Sequence, residues 1–152
     1  MLLCIFPQLV HILSKGVRQV KYKQIMNILS KDVKSTLEQE NLRFDYLQEI
    51  RLRAGYPVIL RFGGKEKILH INATEHNIRE TLDYVSNYSL YAYENELKQG
   101  FITIEGGHRV GMAGQVLIEN GRVKNLKYIS SLNIRISHEI AGCADKLFPY
   151  IT

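Results

Sequence analysis

Phe101-Ile-Thr-Ile-Glu-Gly-Gly-His-Arg-Val-Gly-Met-Ala-Gly-Gln-Val-Leu-Ile-Glu-Asn-Gly121 reads as strand, break, strand, turn. Asn120-Gly121 between alternating segments is a strong hairpin signal, because both residues tolerate positive φ. Beyond the turn, Arg122 to Lys127 and Leu132 to Ile136 are expected as further strands, completing an antiparallel meander. Upstream, Glu49-Ile-Arg-Leu-Arg53 alternates, with Ile50 and Leu52 on one side and Arg51 and Arg53 on the other, the mark of a half-buried strand. The turn Ala54-Gly-Tyr-Pro57, the run Val58–Phe62, the pair Gly63-Gly64 and the run Lys65–Ile71 make this a first three-stranded meander. Between the meanders, Thr74 stands as an N-cap before Ile78, Leu82 and Val85 at helical spacing. A second helical stripe, Leu90, Tyr93 and Leu97, closes on Gly100 as a C-cap. Ile25, Ile28, Leu29, Val33 and Leu37 predict one surface helix between Tyr22 and Leu42, and Ala141 to Tyr150 a short terminal one. The expected fold class is therefore α+β: two antiparallel β-meanders packed with amphipathic helices.

The 152 residues fit one ordinary domain, and 45% hydrophobic with 23% charged residues is a globular composition. Cys4 and Cys143 are far apart with no partner at metal-ligand spacing, so reduced thiols are expected and no metal site. The net charge of +5 lies wholly within residues 1–34, where Lys15, Arg18, Lys21, Lys23, Lys31 and Lys34 face only Asp32. The remainder is neutral, which argues against a nucleic-acid binder. A basic helix end in solvent explains the excess, with an anionic membrane surface as the alternative. Met1 to Leu13 is apolar but contains Pro7 and His11, lacks a cationic start, and is shorter than the ~20 residues a membrane span needs. The expected organisation is an extension of uncertain status over 1–20, an α+β domain over 21–140, and the start of a linker over 141–152.

The glycine-rich run does not spell GxxxxGK[ST] and lies between strands, so it offers no helix N-terminus to a phosphate. Gly106 and Gly107 are read as a tight turn; Gly111 and Gly114 as places where a backbone or ligand approaches the strand. Arg109 and Arg135 sit on strands among apolar or small neighbours. A guanidinium fork held on a rigid strand is suited to clamping phosphate oxygens, since it donates two parallel hydrogen bonds and keeps its charge. The plain alternative is an ion pair with Glu105 or Glu139. His108 with Glu105 could serve as an acid–base pair, but no nucleophile accompanies them, and a surface turn histidine is the preferred reading. Tyr84, Tyr88, Tyr91 and Tyr93 form either a base-stacking platform or, as preferred, a set packed sideways into a core edge.

Four stretches in order, Glu49-Ile-Arg-Leu-Arg-Ala-Gly-Tyr-Pro57, Ser86-Asn-Tyr-Ser-Leu-Tyr-Ala-Tyr-Glu94, Gly100-Phe-Ile-Thr-Ile-Glu-Gly-Gly-His-Arg-Val-Gly111 and Ile129-Ser-Ser-Leu-Asn-Ile-Arg-Ile136, resemble the stage III sporulation protein AA family of endospore-forming bacteria. The resemblance covers roughly residues 22–152. It implies kinship with the ATPases of type II and type IV secretion, and a fold like their N-terminal domain. It further implies that an ATPase core with Walker A and B motifs follows Tyr150, so that ATP and Mg belong to the full-length family and this chain alone is inactive. In that setting strand arginines reach a nucleotide bound elsewhere, and Arg109 and Arg135 match those positions best, with Arg51 and Arg53 after them. The implied partners are the chain's own core, neighbouring subunits of a hexamer, and membrane components of the mother cell–forespore channel, with no nucleic acid. The implied location is the mother-cell cytoplasm, peripheral to the membrane. The expected function is thus a regulatory, oligomerising domain of a sporulation ATPase. The rivals are a stand-alone ligand- or peptide-binding module framed by Gly106–Gly114, and a single-stranded nucleic-acid binder.

Overall fold

A computed structural model describes residues 21–40 and 42–138. In chain order the elements are α1 (helical residues 21–28), α2 (Lys31–Gln39), β1 (Leu47–Arg53), β2 (Pro57–Phe62), β3 (Lys65–Asn72), α3 (Glu75–Val85), α4 (Glu94–Gln99), β4 (Phe101–Ile104), β5 (His108–Glu119) and β6 (Arg122–Arg135). The class is α+β, as the periodicities imply. The two meanders, however, are halves of one antiparallel sheet in the order β3-β2-β1-β6-β5-β4. They meet at its centre, where β1 pairs with β6 from Glu49↔Arg135 to Arg53↔Ser131.

Alternation sorts each strand onto two faces. Leu60, Ile50, Ile134, Val110 and Ile102 are cross-strand neighbours in one row, and Leu52, Leu132 and Met112 in the next. All are buried together with Ile25 from α1, Leu29 just after it, Val33 and Leu37 from α2, Ile78 and Leu82 from α3, and Leu97 from α4. The helices therefore cover this face, and the opposite face carries the polar and charged alternates.

Local chemistry sets the ends of the helices. Thr74 caps α3 reciprocally: its hydroxyl accepts the Asn77 N–H at 3.1 Å, and its own N–H donates to Asn77 Oδ1 at 2.9 Å. Gly100 closes α4 in the left-handed region, as expected. The single helix expected between Tyr22 and Leu42 is two. At buried Ser30 the backbone is extended, and its N–H donates to Thr81 Oγ1 at 3.1 Å, so a tertiary bond replaces the helical one and α2 starts afresh. The two strands expected after Gly121 are one, β6, with an irregularity at Tyr128, which has φ 48. Cys4, Cys143 and the terminal helix expected over 141–150 lie outside the described residues.

Ile134 is fully buried between Ile50 and Val110 at the join of the two meanders. Ile134→Ala should lower unfolding stability by about 2–5 kcal/mol, since the rigid neighbouring strands cannot collapse into the void. Urea unfolding followed by circular dichroism measures this directly.

Candidate functional site

The helix-free face of the sheet carries the arginines. Register places Arg61, Glu49, Arg135, Arg109 and Thr103 side by side across β2, β1, β6, β5 and β4. Two residues along, the row is Ile59, Arg51, Asn133, Gly111 and Phe101, and beyond it Arg53 faces Ser131. All four arginines singled out in the sequence thus share one face, but they are not equivalent.

Glu49 is only 6% exposed, and its carboxylate is already held. Oε1 accepts a very short bond from Arg51 Nε, and Oε2 lies 4.0 Å from Arg61 Nη1. Arg51 also donates through Nη1 to Glu66 Oε1 at 2.8 Å. The hydrogen bond to Glu49, and then its charge, push the Arg51 guanidinium above its ordinary range. Arg51 is therefore neutralised within the domain. An ion pair does form on this face, but at Arg51, because Glu49 and Arg51 are alternate residues of one strand.

Arg109 and Arg135 are directly opposed on β5 and β6, and both are exposed. Among the described residues neither has a carboxylate within 4.0 Å. Glu105 does not pair with either, and Glu139 lies outside the described residues. Arg109 rests with Cζ 5.4 Å from the Phe101 ring, and Arg53 with Cζ 4.1 Å from the Tyr56 ring, contacts that hold each guanidinium without neutralising it. Between Arg53 and the opposed pair the face sinks into a hollow of about 500 Å³, lined by Arg51, Arg53, Tyr56, Gly111, Ala113 and Asn133 among others. Asn133 Oδ1 is buried there without a hydrogen-bond partner among the described residues. Asn133, Tyr56 and Phe101 each lie in one of the family-like stretches, but no local signal marks them, and only the folded sheet brings them beside the arginines.

The glycines divide. A Cβ on Gly111 would have ordinary room, 3.7 Å from the nearest atom, so its role is to keep the hollow open. A Cβ on Gly114 would meet Lys127 O at 2.6 Å, so there it is the β6 backbone that approaches. His108 is fully buried, which overturns the surface reading. The tyrosines split as well: Tyr84 and Tyr93 are partly buried, with Tyr84 OH donating to Glu80 at 2.7 Å, whereas Tyr88 and Tyr91 are 74% and 96% exposed. That hydrogen bond, aided by desolvation, raises the Tyr84 phenol to about 12. Among the described residues no three His, Cys, Asp or Glu converge as a metal site, and no helix is long and apolar enough to cross a membrane.

Fold and face define the class: an α+β domain with helices on one side of its sheet and an array of guanidiniums on the other. The chain belongs to the sporulation stage III protein AA family, whose profile, described as "Sporulation stage III, protein AA", matches residues 19–152. It is 42% identical over 132 residues to "Stage III sporulation protein AA" of Bacillus subtilis (strain 168). That alignment takes in 84% of this chain and 42% of the relative, so the chain spans well under half the length of the protein it matches. Among solved structures, the VirB11 ATPase from the Brucella suis type IV secretion system, in complex with sulphate, aligns with a TM-score of 0.38 at 8% identity. The alignment covers 79% of this chain and 35% of that one.

Like charges directly opposed on neighbouring strands destabilise a sheet by roughly 0.2–1 kcal/mol. Arg109→Gln or Arg135→Gln alone should therefore raise the melting temperature slightly at low salt, with the gain shrinking as salt screens the pair. Calorimetry across ionic strength checks it.

Proposed function

We propose that this chain is the N-terminal domain of a sporulation ATPase and that it presents Arg109 and Arg135 to the phosphates of a nucleotide bound by an ATPase core. The observation that carries this reading is the opposed arginine pair, left without a carboxylate among the described residues on the face away from the helices. Membership of the stage III family supports it, and so does the greater length of the B. subtilis relative, which leaves room for a core.

The residues present fit phosphate oxygens. Two planar forks on adjacent rigid strands can donate several parallel hydrogen bonds to one polyanion, and neither loses its charge at any working pH. They do not fit magnesium, which would be held by the core together with ATP. As charge builds on the phosphoryl group in transfer, a correctly placed arginine stabilises it, an effect worth 10³-fold or more in related systems. Arg53 flanks the pair. Arg51 acts within the domain by fixing Glu49, so its contribution to the nucleotide is small. On this reading the domain works in the mother-cell cytoplasm within a ring of subunits, and the ring energises or gates the channel to the forespore through its membrane components.

A second reading rests on the hollow with its unsatisfied Asn133: a module that binds a small anionic ligand by itself. Titrating the isolated chain with ATP and with inorganic phosphate separates the two, because the first reading expects no binding without the core. In the full-length protein, Arg109→Ala and Arg135→Ala should each lower ATP turnover on the order of 10³-fold while circular dichroism stays unchanged. Arg51→Ala should lower it less than about tenfold. Unchanged turnover in the folded Arg109 and Arg135 variants would sink the proposal.

A further inference from the structure

The turn Glu105–Gly107 and His108 take no part in the arginine face, yet they form a closely packed junction. Gly106 and Gly107 adopt φ 82 and 74, in the left-handed region. A Cβ on Gly106 would come within 2.7 Å of Gln24 Oε1 and 2.9 Å of His108 Nε2, and one on Gly107 within 3.6 Å of Ser137 Oγ. The turn is thus pressed against α1, the His108 ring and the chain just beyond β6.

At that exit, Ile136 N–H still donates to Gln48 O at 2.9 Å, continuing the ladder with β1. The next two residues are held by histidines. Ser137 N–H donates to His108 Nδ1 at 2.9 Å, and His138 Nε2 lies 2.7 Å from Leu47 O. The first bond fixes the His108 tautomer: Nδ1 accepts, so the proton sits on Nε2, which has no hydrogen-bond partner among the described residues. In the second a carbonyl can only accept, so His138 Nε2 carries a proton.

We infer that His108 and His138 form a proton-sensitive latch that fixes the course of the chain where it leaves β6. Protonating His108 places a hydrogen on Nδ1 and turns the acceptor into a donor facing the Ser137 N–H, so that bond cannot persist. The His138 bond survives the same change, because Nε2–H donates in both states. Opening therefore begins at His108. Among the described residues the ionisable groups facing the ring are Lys21 from α1 and His138 from the exit, and neither supplies negative charge. Glu105 of the turn is exposed. Burial first, then Lys21, then His138 hold the imidazole below its ordinary range. A group whose pKa is lowered by folding is fully stabilising above its ordinary value and loses that stabilisation as pH falls below it. The latch is accordingly closed above about pH 6.5 and weakens beneath it. His108 adjoins Arg109, and Ser137 lies two residues past Arg135, so the latch ties the chain's exit to the strands bearing the arginine pair. The inference itself does not depend on what that pair binds.

Nitrogen-15 NMR of the chain tests it. The His108 ring shifts should report the Nε2–H tautomer at about pH 8. The Ser137 amide protection factor should fall about tenfold per pH unit below about 6.5, until His108 is fully protonated, while amides at the sheet centre stay protected. His108→Asn offers an acceptor that does not titrate, so Ser137 protection should become independent of pH. His108→Phe should lose that protection at every pH. An Nδ1–H tautomer, or Ser137 protection that ignores the His108 titration, overturns the latch. If the phenylalanine variant does not fold, the native titration and the asparagine variant decide the matter.

Discussion

Everything in this domain depends on the pairing of β1 with β6. Each meander alone is a local three-stranded unit with one apolar face, and the join at Ile50↔Ile134 and Leu52↔Leu132 makes them one sheet with one core. Strands near opposite ends of the described chain must find each other, so loop closure opposes the step and the contact is slow to form. Burial of four aliphatic side chains at the seam, each worth roughly 1.5–3 kcal/mol, offsets that opposition. The same register then dictates the other face. Once Ile50 is buried opposite Ile134, Glu49 must stand opposite Arg135, and Arg135 opposite Arg109.

Charge on that face is divided rather than spread. Glu49 and Glu66 absorb Arg51, and Glu49 reaches toward Arg61, while Arg53, Arg109 and Arg135 keep their full charge among the described residues. Two unit charges about 5 Å apart repel by about 1 kcal/mol in water, and by about 3 at the effective dielectric of a protein surface. That is tolerable beside the core's burial, and it makes any anion that bridges the pair favourable. Aromatic rings under Arg109 and Arg53 limit how far the guanidiniums can swing away. The geometry restrains charge and leaves it unsatisfied, which is what an electrostatic contact to a second component requires.

The strands were legible in the sequence wherever alternation was strict, as in Glu49–Arg53, and so were ends marked by Thr74 and Gly100, because the signals there are local. What the sequence hid was non-local. Nothing in the helical run from Tyr22 to Leu42 announces that the Ser30 N–H will find Thr81, and no spacing tells which arginine will meet a carboxylate. Arg51 and Arg109 look alike in their own strands and differ only through Glu49 and Glu66. His108 looked like a surface residue because a Gly-Gly turn precedes it. Gly106 leaves room for that ring in the interior, and the turn does not expose it.

The glycine-rich motif therefore resolves into unlike physical tasks. At 114 the missing side chain lets β6 approach within contact distance; at 111 it leaves the floor of the hollow bare. At 106 it makes space for Gln24 and His108. A phosphate loop would direct its glycines toward one ligand, with successive N–H groups converging at a helix N-terminus. Here β4 and β5 separate them onto different neighbours, and of these three only Gly111 lines the hollow, together with Gly100. Any phosphate met by this surface must therefore be recognised by side chains, and its placement set by the strands that carry Arg109 and Arg135. Where they carry the pair, those strands are anchored by the buried seam with β1 and, just past it, by the histidines at the exit. The arginine pair is consequently only as well placed as its two anchors, and the exit is the one whose hold depends on a proton.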